Sequence, residues 1–359
     1  MNPIQAARAA GQQIWLDNLS RALINEGLLA RHIEMGVAGI TTNPAIFHKA
    51  IAEGQDYQPQ LDALRGENLS AEQRYERLVI ADVQRACDAL RPVFDASKGD
   101  AGYVSLEVSP ALADDETGTV AAARRLRAAV ARDNLLVKIP ATAAGVRAIE
   151  TLTGEGLSIN VTLMFSLAHV EAVASAYQRG LERLAAGGGE LSRVRSVASV
   201  FLSRWDSLID KRLEDIGTPE ALGLRGRAGV ALARQAYQRY LARFHGAGFT
   251  GLAAQGARPQ SMLWASTGTK NAAYSDLMYV EPLIGAETVN TLPDATLGAF
   301  ADHGRVSPDT VSQDVAAAAA HIAALAALGL DLDVLGERLQ ADGLAQFASA
   351  FGKLLELTA

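Results

Sequence analysis

Short apolar segments alternate with longer amphipathic segments along almost the whole chain of 359 residues. Eight of the short segments consist of apolar or β-favouring residues and end at turn residues, as strands do. They are Gln13–Asp17, Ala38–Asn43, Gly102–Val108, Leu135–Ile139, Leu157–Thr162, Arg195–Phe201, Met262–Ser266 and Thr288–Thr291. Eight strands that alternate with helices are typical of parallel βαβ units. The sequence therefore predicts an α/β fold, a closed (β/α)8 TIM barrel.

The intervening segments carry apolar residues at helical spacing. The predicted helices are Ser70–Phe94, Glu116–Arg132, Ala143–Thr153, Ser166–Ala186, Ser203–Glu214, Arg225–Phe244, Ser307–Leu328 and Val334–Leu357. The segment 53–69 is expected to be an excursion after the second strand. No linker divides the chain, so we expect one catalytic barrel domain over residues 1–359, with additional C-terminal helices at about 307–357.

Charge and composition restrict the classes of partner. The net charge is -7 and no basic cluster stands out, which argues against nucleic acid and anionic membranes as main partners. The single cysteine, Cys87, excludes a disulfide framework, and a small buried side chain is the expected role. The N-terminal segment lacks the apolar core of a signal peptide, so we expect a cytoplasmic protein. The sequence leaves a monomer and a homodimer both open.

Motifs for bound cofactors are missing from the sequence. The six histidines show no metal-ligand spacing, and there is no G-x-G-x-x-G or Walker-type loop. Zinc, nicotinamide and ATP are therefore unsupported, and we expect neither a metal nor a cofactor.

Almost every predicted strand carries a polar residue at or near its C-terminal end. These residues are Asp17, Thr41, Asn43, Glu107, Lys138, Asn160, Thr162, Ser199, Ser266 and Asn290. In a TIM barrel these ends converge on one mouth, where the active site lies. Each Ser, Thr or Asn taken alone is more often a helix cap or a turn residue. Glu and Lys are poor caps, so the joint pattern favours a site.

Lys138 is the one lysine inside an apolar strand, in the sequence LLVKIP. A buried charge is costly, so this amine should lose its proton or find a partner. A neutral amine is a nucleophile that condenses with a ketone to give a Schiff base. The alternative is an ion pair with Glu107 that only fills the mouth, and the residues alone leave both open.

Other charged residues fit the same chemistry. Glu107 and Asp17 could supply the acids and bases that Schiff-base chemistry needs. Arg204 follows the sixth strand and Lys270 follows the seventh, in a glycine-bearing loop suited to a phosphate. Either basic residue could equally be an ordinary surface charge.

Six segments resemble the transaldolase family, in the same order as in that family. They are GITTNPAIF at 39–47, VSLEV at 104–108, LLVKIPAT at 135–142, NVTLMFS at 160–166, SVASVFLSR at 196–204 and ASTGTKN at 265–271. The resemblance covers about residues 14–295. The chain length and the C-terminal helices are similar to those of the longer members.

The resemblance implies a role for each matching residue. Lys138 is the Schiff-base nucleophile, Asp17 the base on the C4 hydroxyl, and Glu107 with Thr162 and a water relays protons. The implied residues for the dihydroxyacetone unit are Thr41, Asn43, Asn160, Ser199 and Phe201, and those for the phosphate are Arg204, Ser266 and Lys270. The implied substrates are sedoheptulose 7-phosphate and glyceraldehyde 3-phosphate, which give erythrose 4-phosphate and fructose 6-phosphate.

The sequence differs from the family pattern at one position, and two alternative functions stay open. Shorter members carry an arginine where this longer loop offers Lys270, a point charge without the bidentate fork. A related aldolase that releases free dihydroxyacetone is an alternative, but such relatives typically show glutamine at Glu107 and tyrosine at Phe201. A catalytically silent barrel that only binds sugar phosphates is the other.

Overall fold

The computed structural model describes residues 1–359 and contains the predicted barrel. Its strands are β1 (Gln12–Leu16), β2 (Gly39–Ile40), β3 (Tyr103–Glu107), β4 (Leu135–Pro140), β5 (Ile159–Met164), β6 (Ser196–Phe201), β7 (Ser261–Ala265) and β8 (Thr288–Leu292). Each strand pairs in parallel with the next, and β8 pairs with β1 from Gln12↔Thr288 to Leu16↔Leu292. This pairing closes the sheet, so the prediction of a (β/α)8 barrel is confirmed.

Sixteen α-helices surround and cover the barrel. They are α1 (Pro3–Ala9), α2 (Arg21–Asn25), α3 (Leu28–Met35), α4 (Pro44–Glu53), α5 (Gln58–Arg65), α6 (Ala71–Ala96), α7 (Glu116–Val130), α8 (Ala143–Gly154), α9 (Leu167–Ala186), α10 (Ser203–Ile216), α11 (Pro219–Leu222), α12 (Ala228–Phe244), α13 (Thr250–Ala253), α14 (Asp294–His303), α15 (Val315–Ala327) and α16 (Leu332–Thr358). No single helix is both long and apolar enough to cross a membrane, and only the pair α15 and α16, bent by 88°, passes that test together.

Local signals explain where several helices begin. At the start of α6, Ser70 and Gln73 form a reciprocal capping box. The prediction of a helix from Ser307 was wrong, because Asp309 and Asp314 adopt left-handed φ angles of 56° and 53°. Those angles break the helical path, so α15 begins only at Val315.

The interior is one continuous apolar cluster of 91 buried residues, formed by the strands and the inner faces of the helices. Strands β1, β4, β5, β6, β7 and β8 are buried along their whole length. Cys87 lies in this core, unpaired and fully buried, and burial raises the pKa of its thiol to about 12. The expected role as a small buried side chain is confirmed.

The last helix, α16, contacts both surrounding helices and a barrel strand. It contacts α4 and α6 on one side and reaches the end of β5 on the other. Gln340 donates two hydrogen bonds of 3.0 Å, to the carbonyl oxygens of Ala141 and Leu163. Ala141 directly follows β4, and Leu163 lies within β5. These bonds hold the helix across the mouth formed by the C-terminal strand ends.

Candidate active site

Lys138 lies within β4, where its neighbours in register are Glu107 on β3 and Asn160 on β5. Its residue exposure is only 5%, and Nζ donates a 3.0 Å hydrogen bond to the carbonyl oxygen of Thr42. Nζ also lies 3.5 Å from Oε2 of Glu107. The structure therefore places a buried amine directly beside a buried carboxyl group.

Glu107 is perturbed by this environment. Burial raises the pKa of its carboxyl group to about 7, because desolvation outweighs the attraction of Lys138, and the negative charge of Asp17 adds to the rise. Its Oε2 has no hydrogen-bond partner. A carboxyl group with a pKa near neutrality can both donate and accept a proton at working pH.

Thr162 lies in an irregular part of β5. The pairing of β5 with β6 shifts between Val161 and Met164, and Leu163 has a φ of +58°. Such a bulge changes the direction of neighbouring side chains and is frequent beside active sites. The buried Oγ1 of Thr162 has no partner and the side chain lines the cavity, so it is free to bind a water or a substrate atom.

Asp17 follows β1 directly. Its backbone N–H donates to the carbonyl oxygen of Leu292, and its Oδ1 accepts a 2.6 Å hydrogen bond from Oγ1 of Thr41. Oγ1 of Thr41 also lies 2.6 Å from Oγ1 of Thr291. Burial raises the pKa of Asp17, while the Thr41 bond and the positive charge of Lys138 lower it. The second carboxylate is thus held rigidly and in different surroundings from Glu107.

Two amides occupy different positions around the cavity. Oδ1 of Asn43 caps α4 by accepting a bond from the N–H of Ile46, and the residue also lines the cavity. Asn160 is fully buried and bridges two serines: it donates to Ser105 at 2.9 Å and accepts from Ser199 at 2.7 Å. Ser199 lines the cavity, whereas Asn160 lies behind it.

Two basic groups, Arg204 and Lys270, also line the cavity. The guanidinium of Arg204 lies 5.3 Å from the ring centroid of Phe201, and its buried Nη1 has no hydrogen-bond partner. Burial lowers the pKa of Arg204. Ser266 adopts a φ of +54° and its Oγ lies 2.8 Å from Oγ of Ser203. Lys270 lines the cavity from the exposed loop after β7.

These side chains surround one cavity of about 150 Å³. Ten of the twelve residues expected from the sequence line its wall: Asp17, Thr41, Asn43, Lys138, Thr162, Ser199, Phe201, Arg204, Ser266 and Lys270. Glu107 does not line the cavity but contacts Lys138, which does. In the same way, Asn160 accepts a hydrogen bond from the cavity-lining Ser199. No group of three or more His, Cys, Asp or Glu side chains is arranged to hold a metal ion.

A comparison of sequences agrees with this geometry. The sequence profile described as Transaldolase/Fructose-6-phosphate aldolase matches residues 14–358. The chain belongs to this family. The match extends from the start of the barrel through α16, so the C-terminal helix is part of the shared pattern of the transaldolase/aldolase family.

Similar proteins of the family cover the chain almost completely. A protein named Transaldolase from Thiobacillus denitrificans is 54% identical over 356 residues, which is 99% of each chain. A Transaldolase from Neisseria gonorrhoeae is 48% identical and also covers 99% of both chains. Transaldolase 1 of Streptomyces coelicolor is 48% identical over 353 residues, 98% of this chain and 93% of the relative.

Reasoning from the sequence missed six residues that line the cavity: Leu263, Ala265, Gly268, Thr291, Pro293 and Phe347. In this member of the transaldolase/aldolase family, Phe347 of α16 lines the cavity, and its ring centroid lies 5.7 Å from Nζ of Lys138. A signal was present in the spacing of Gly336, Gln340, Gly343 and Phe347, which lie on one face of a helix. A Cβ on Gly343 would lie 2.9 Å from the side chain of Leu163, so the glycine permits close approach to β5.

Proposed function

We propose that this protein is a transaldolase. It transfers a dihydroxyacetone unit reversibly from sedoheptulose 7-phosphate to glyceraldehyde 3-phosphate, which gives erythrose 4-phosphate and fructose 6-phosphate. The observation that carries the proposal is the buried amine of Lys138, 3.5 Å from a carboxyl group whose pKa is about 7, in a mouth that also holds basic groups. Relatives named Transaldolase at 54% and 48% identity over 99% of the chain support it.

The first step is formation of a Schiff base. The lone pair of Lys138 Nζ attacks the ketone carbon of the sugar, and a proton moves from the attacking nitrogen to the carbonyl oxygen to give a carbinolamine. Loss of that hydroxyl as water requires a second proton. Glu107 supplies it through a water held beside the free Oγ1 of Thr162, and recovers it when the Schiff base is hydrolysed.

The second step breaks the bond between C3 and C4 of the sugar. Asp17 takes the proton of the C4 hydroxyl, the C4 oxygen forms a carbonyl, and the bonding electrons move to C3 and the protonated imine. The aldehyde product leaves, and the three-carbon unit remains on Lys138. Attack of C3 on the carbonyl carbon of an acceptor aldehyde, with return of the proton from Asp17, is the same step in reverse.

The remaining site residues bind rather than react. Thr41, Asn43, Ser199 and Phe201 line the cavity around the three-carbon unit, and Asn160 orients Ser199 from behind. Arg204, Ser266 and Lys270 hold the phosphate group. The unpaired, buried Nη1 of Arg204 supports this assignment, because an unsatisfied cationic donor in a cavity favours an anionic ligand.

The proposal also includes the setting of the reaction. We place the protein in the pentose shunt of carbohydrate metabolism, as a cytoplasmic enzyme. The catalytic unit is one domain over residues 1–359, because the barrel and the C-terminal helix jointly form the cavity.

Reduction with borohydride in the presence of fructose 6-phosphate tests the chemistry and the site together. We expect a stable adduct with the mass of a reduced dihydroxyacetone unit on Lys138, located by peptide mass spectrometry. Lys138→Ala should remain folded, form no adduct and lose essentially all transfer activity. Lys353→Ala, which removes a lysine outside the cavity, is the matched control and should behave like the wild type.

Two results would contradict the proposal. An unmodified mass after reduction would favour a silent barrel that only binds sugar phosphates. Release of free dihydroxyacetone from fructose 6-phosphate at the same rate with and without an acceptor aldehyde would favour the aldolase activity instead.

A further inference from the structure

A second cavity, of about 390 Å³, lies between α12, α15 and the segment that connects β7 with β8. It shares no lining residue with the candidate active site. Its wall carries two arginines, Arg227 and Arg234, one histidine, His321, and one carboxylate, Asp314. The mechanism proposed above uses none of these four side chains.

The nitrogen donors around this cavity are poorly satisfied. His321 has a residue exposure of only 8%, and its buried Nε2 has no hydrogen-bond partner. The buried Nε of Arg234 also has no partner, and its two terminal nitrogens make only long contacts of 3.4 Å, to Asp314 and to the carbonyl oxygen of Thr310. Buried polar atoms without partners are costly and uncommon in folded proteins, so a ligand group that pairs with these nitrogens would stabilise this region.

Arg227 adds an unpaired positive charge at one end of the cavity. Its neighbour Arg225 is paired with Glu214, and Arg234 contacts Asp314, whereas Arg227 has no carboxylate within ion-pair distance. Arg227 precedes the first residue of α12, and Arg234 lies seven positions later, two turns along the same face. The positive charge of Arg227 is therefore unpaired, whereas the charge of Arg234 is partly neutralised by Asp314.

Apolar side chains form the floor between the two arginines. Val230 and Ala231 lie on the same face of α12, and Met278 and Pro282 face them from the segment between β7 and β8. A ligand with a charged end and a carbon skeleton would therefore contact donors at one end and apolar surface along its length.

We propose that this cavity is a binding site for a small organic anion. A phosphate or carboxylate group lies between Arg227 and His321, and the carbon skeleton of the ligand covers Val230, Met278 and Pro282. The group on Arg227 and His321 forms charge-assisted hydrogen bonds, which are stronger than bonds between neutral groups.

Proton uptake on binding is a consequence that can be measured. Burial and the positive charge of Arg227 lower the pKa of His321, and the negative charge of Asp210 opposes this only in part. An anion beside the ring favours the protonated form. The other charges that line the cavity, Arg234 and Asp314, contact each other, so the charges that decide the protonation of His321 are Arg227, Asp210 and the ligand.

The test is calorimetric titration with phenyl phosphate, which combines a phosphate with an apolar ring. We expect two binding events in the wild type, because the active-site cavity also binds phosphate. Arg204→Gln should weaken only the active-site event. Arg227→Gln and His321→Gln should each weaken the other event at least tenfold, while Arg225→Gln, an exposed control two residues away, should change neither.

Further measurements make the test decisive. At pH 7, titrations in buffers with different ionisation enthalpies should show proton uptake at the second site in the wild type and none in His321→Gln. Inorganic phosphate, which lacks the carbon skeleton, should bind this site more weakly than phenyl phosphate. A single event that Arg204→Gln removes completely would overturn the proposal, as would undiminished binding to Arg227→Gln when circular dichroism shows an intact fold.

Discussion

Glu107 can exchange a proton near neutral pH, because burial brings the pKa of its carboxyl group to about 7. Proton transfer is most effective when the pKa of the catalytic group lies close to the working pH. In Glu107→Gln the side chain keeps its size and one accepting oxygen but cannot exchange a proton. We expect formation of the Schiff base to slow by about 10²-fold or more. Borohydride trapping at short reaction times, with fructose 6-phosphate as the substrate, measures that rate directly.

The pH profile gives a second measurement of the same group. A wild-type rate of Schiff-base formation that responds to pH around 7, and loses that response in Glu107→Gln, supports the relay role. If the variant keeps both the rate and the pH profile of the wild type, Glu107 only balances the charge of Lys138.

Asp17 is expected to act in a different step from Glu107. Its carboxylate is held by Thr41 and lines the cavity, so Asp17→Asn should preserve the shape of the site and the binding of substrate. We expect kcat for cleavage to fall by about 10²-fold or more, with little change in KM. Steady-state kinetics with fructose 6-phosphate and an acceptor aldehyde checks this. A rise in KM at unchanged kcat would assign Asp17 to binding alone.

The positions of most site residues followed from a simple physical rule. A polar residue at the end of an otherwise apolar strand has no partner in the core, so it must face the mouth of the barrel. That rule found Asp17 and Lys138, which line the cavity. It could not show that Asn160 is turned behind the wall, because its partners, Ser105 and Ser199, come from other strands. Side-chain direction in a closed barrel depends on pairings that the sequence does not reveal.

Individual elements differed in how well the sequence predicted them. All eight strands were found, because each is a short apolar segment bounded by turn residues. Helices α1 to α4 were not predicted, because they contain only five to ten residues and show too few turns for an apolar period to be visible. The two positive φ angles before α15 also had no local signal, since Asp309 and Asp314 are not glycines.

The C-terminal helix α16 was predicted as a helix, but its place over the mouth was not. Its contacts with Ala141 and Leu163 join residues almost 200 positions apart in sequence. A single sequence shows that the contacting residues of α16 are spaced along one helix face. It does not show which part of the barrel that face packs against. For this reason the sequence did not reveal that Phe347 lines the cavity.

The ring of Phe347 lines the cavity beside Nζ of Lys138, so we expect it to protect the proposed three-carbon intermediate from water. In Phe347→Ala the Schiff base should still form, but protonation and hydrolysis of the intermediate should compete better with transfer. We expect the ratio of free dihydroxyacetone to transfer product to rise about tenfold, as one buried aromatic contact is worth roughly 1–2 kcal/mol. Assays of both products from one reaction mixture measure this ratio.

Phe351 offers a matched control one helical turn away. Its ring packs at 5.4 Å against Tyr75 and not against Lys138, so Phe351→Ala removes the same volume from α16 outside the site. This variant should lose stability but keep the wild-type product ratio. If both variants raise the ratio equally, the general looseness of α16 is responsible and Phe347 has no specific role.

At the scale of the whole molecule, closure of the barrel explains why residues far apart in sequence form one site. Parallel pairing of β8 with β1 brings Thr291 and Asp17 to the same rim, although 274 positions separate them. Thr41, which directly follows the second strand, then contacts both side chains. A strand count of eight was enough to predict this convergence, whereas the distances required the packed structure.

Stability of the whole fold should depend on pH through Asp206, which is buried in α10. Burial raises the pKa of its carboxyl group to about 6 from 3.8, although bonds from Tyr279 and from the N–H of Gly229 oppose the rise. Between these two pH values the folded chain binds more protons than the unfolded chain. This group therefore favours folding at pH 4, and that contribution is lost as pH rises through about 6.

Asp206→Asn removes this titration while keeping the size of the side chain. The free energy of unfolding of the variant, relative to the wild type, should rise by about 2 kcal/mol between pH 4 and pH 7, since one pKa unit corresponds to about 1.4 kcal/mol and part of the effect is already lost at pH 4. Urea denaturation of both proteins at several pH values measures the difference. Asp215→Asn, which removes an exposed carboxylate near the end of the same helix, should show no such trend. A constant difference between Asp206→Asn and the wild type across this range would mean that the carboxyl group titrates alike in the folded and unfolded chains.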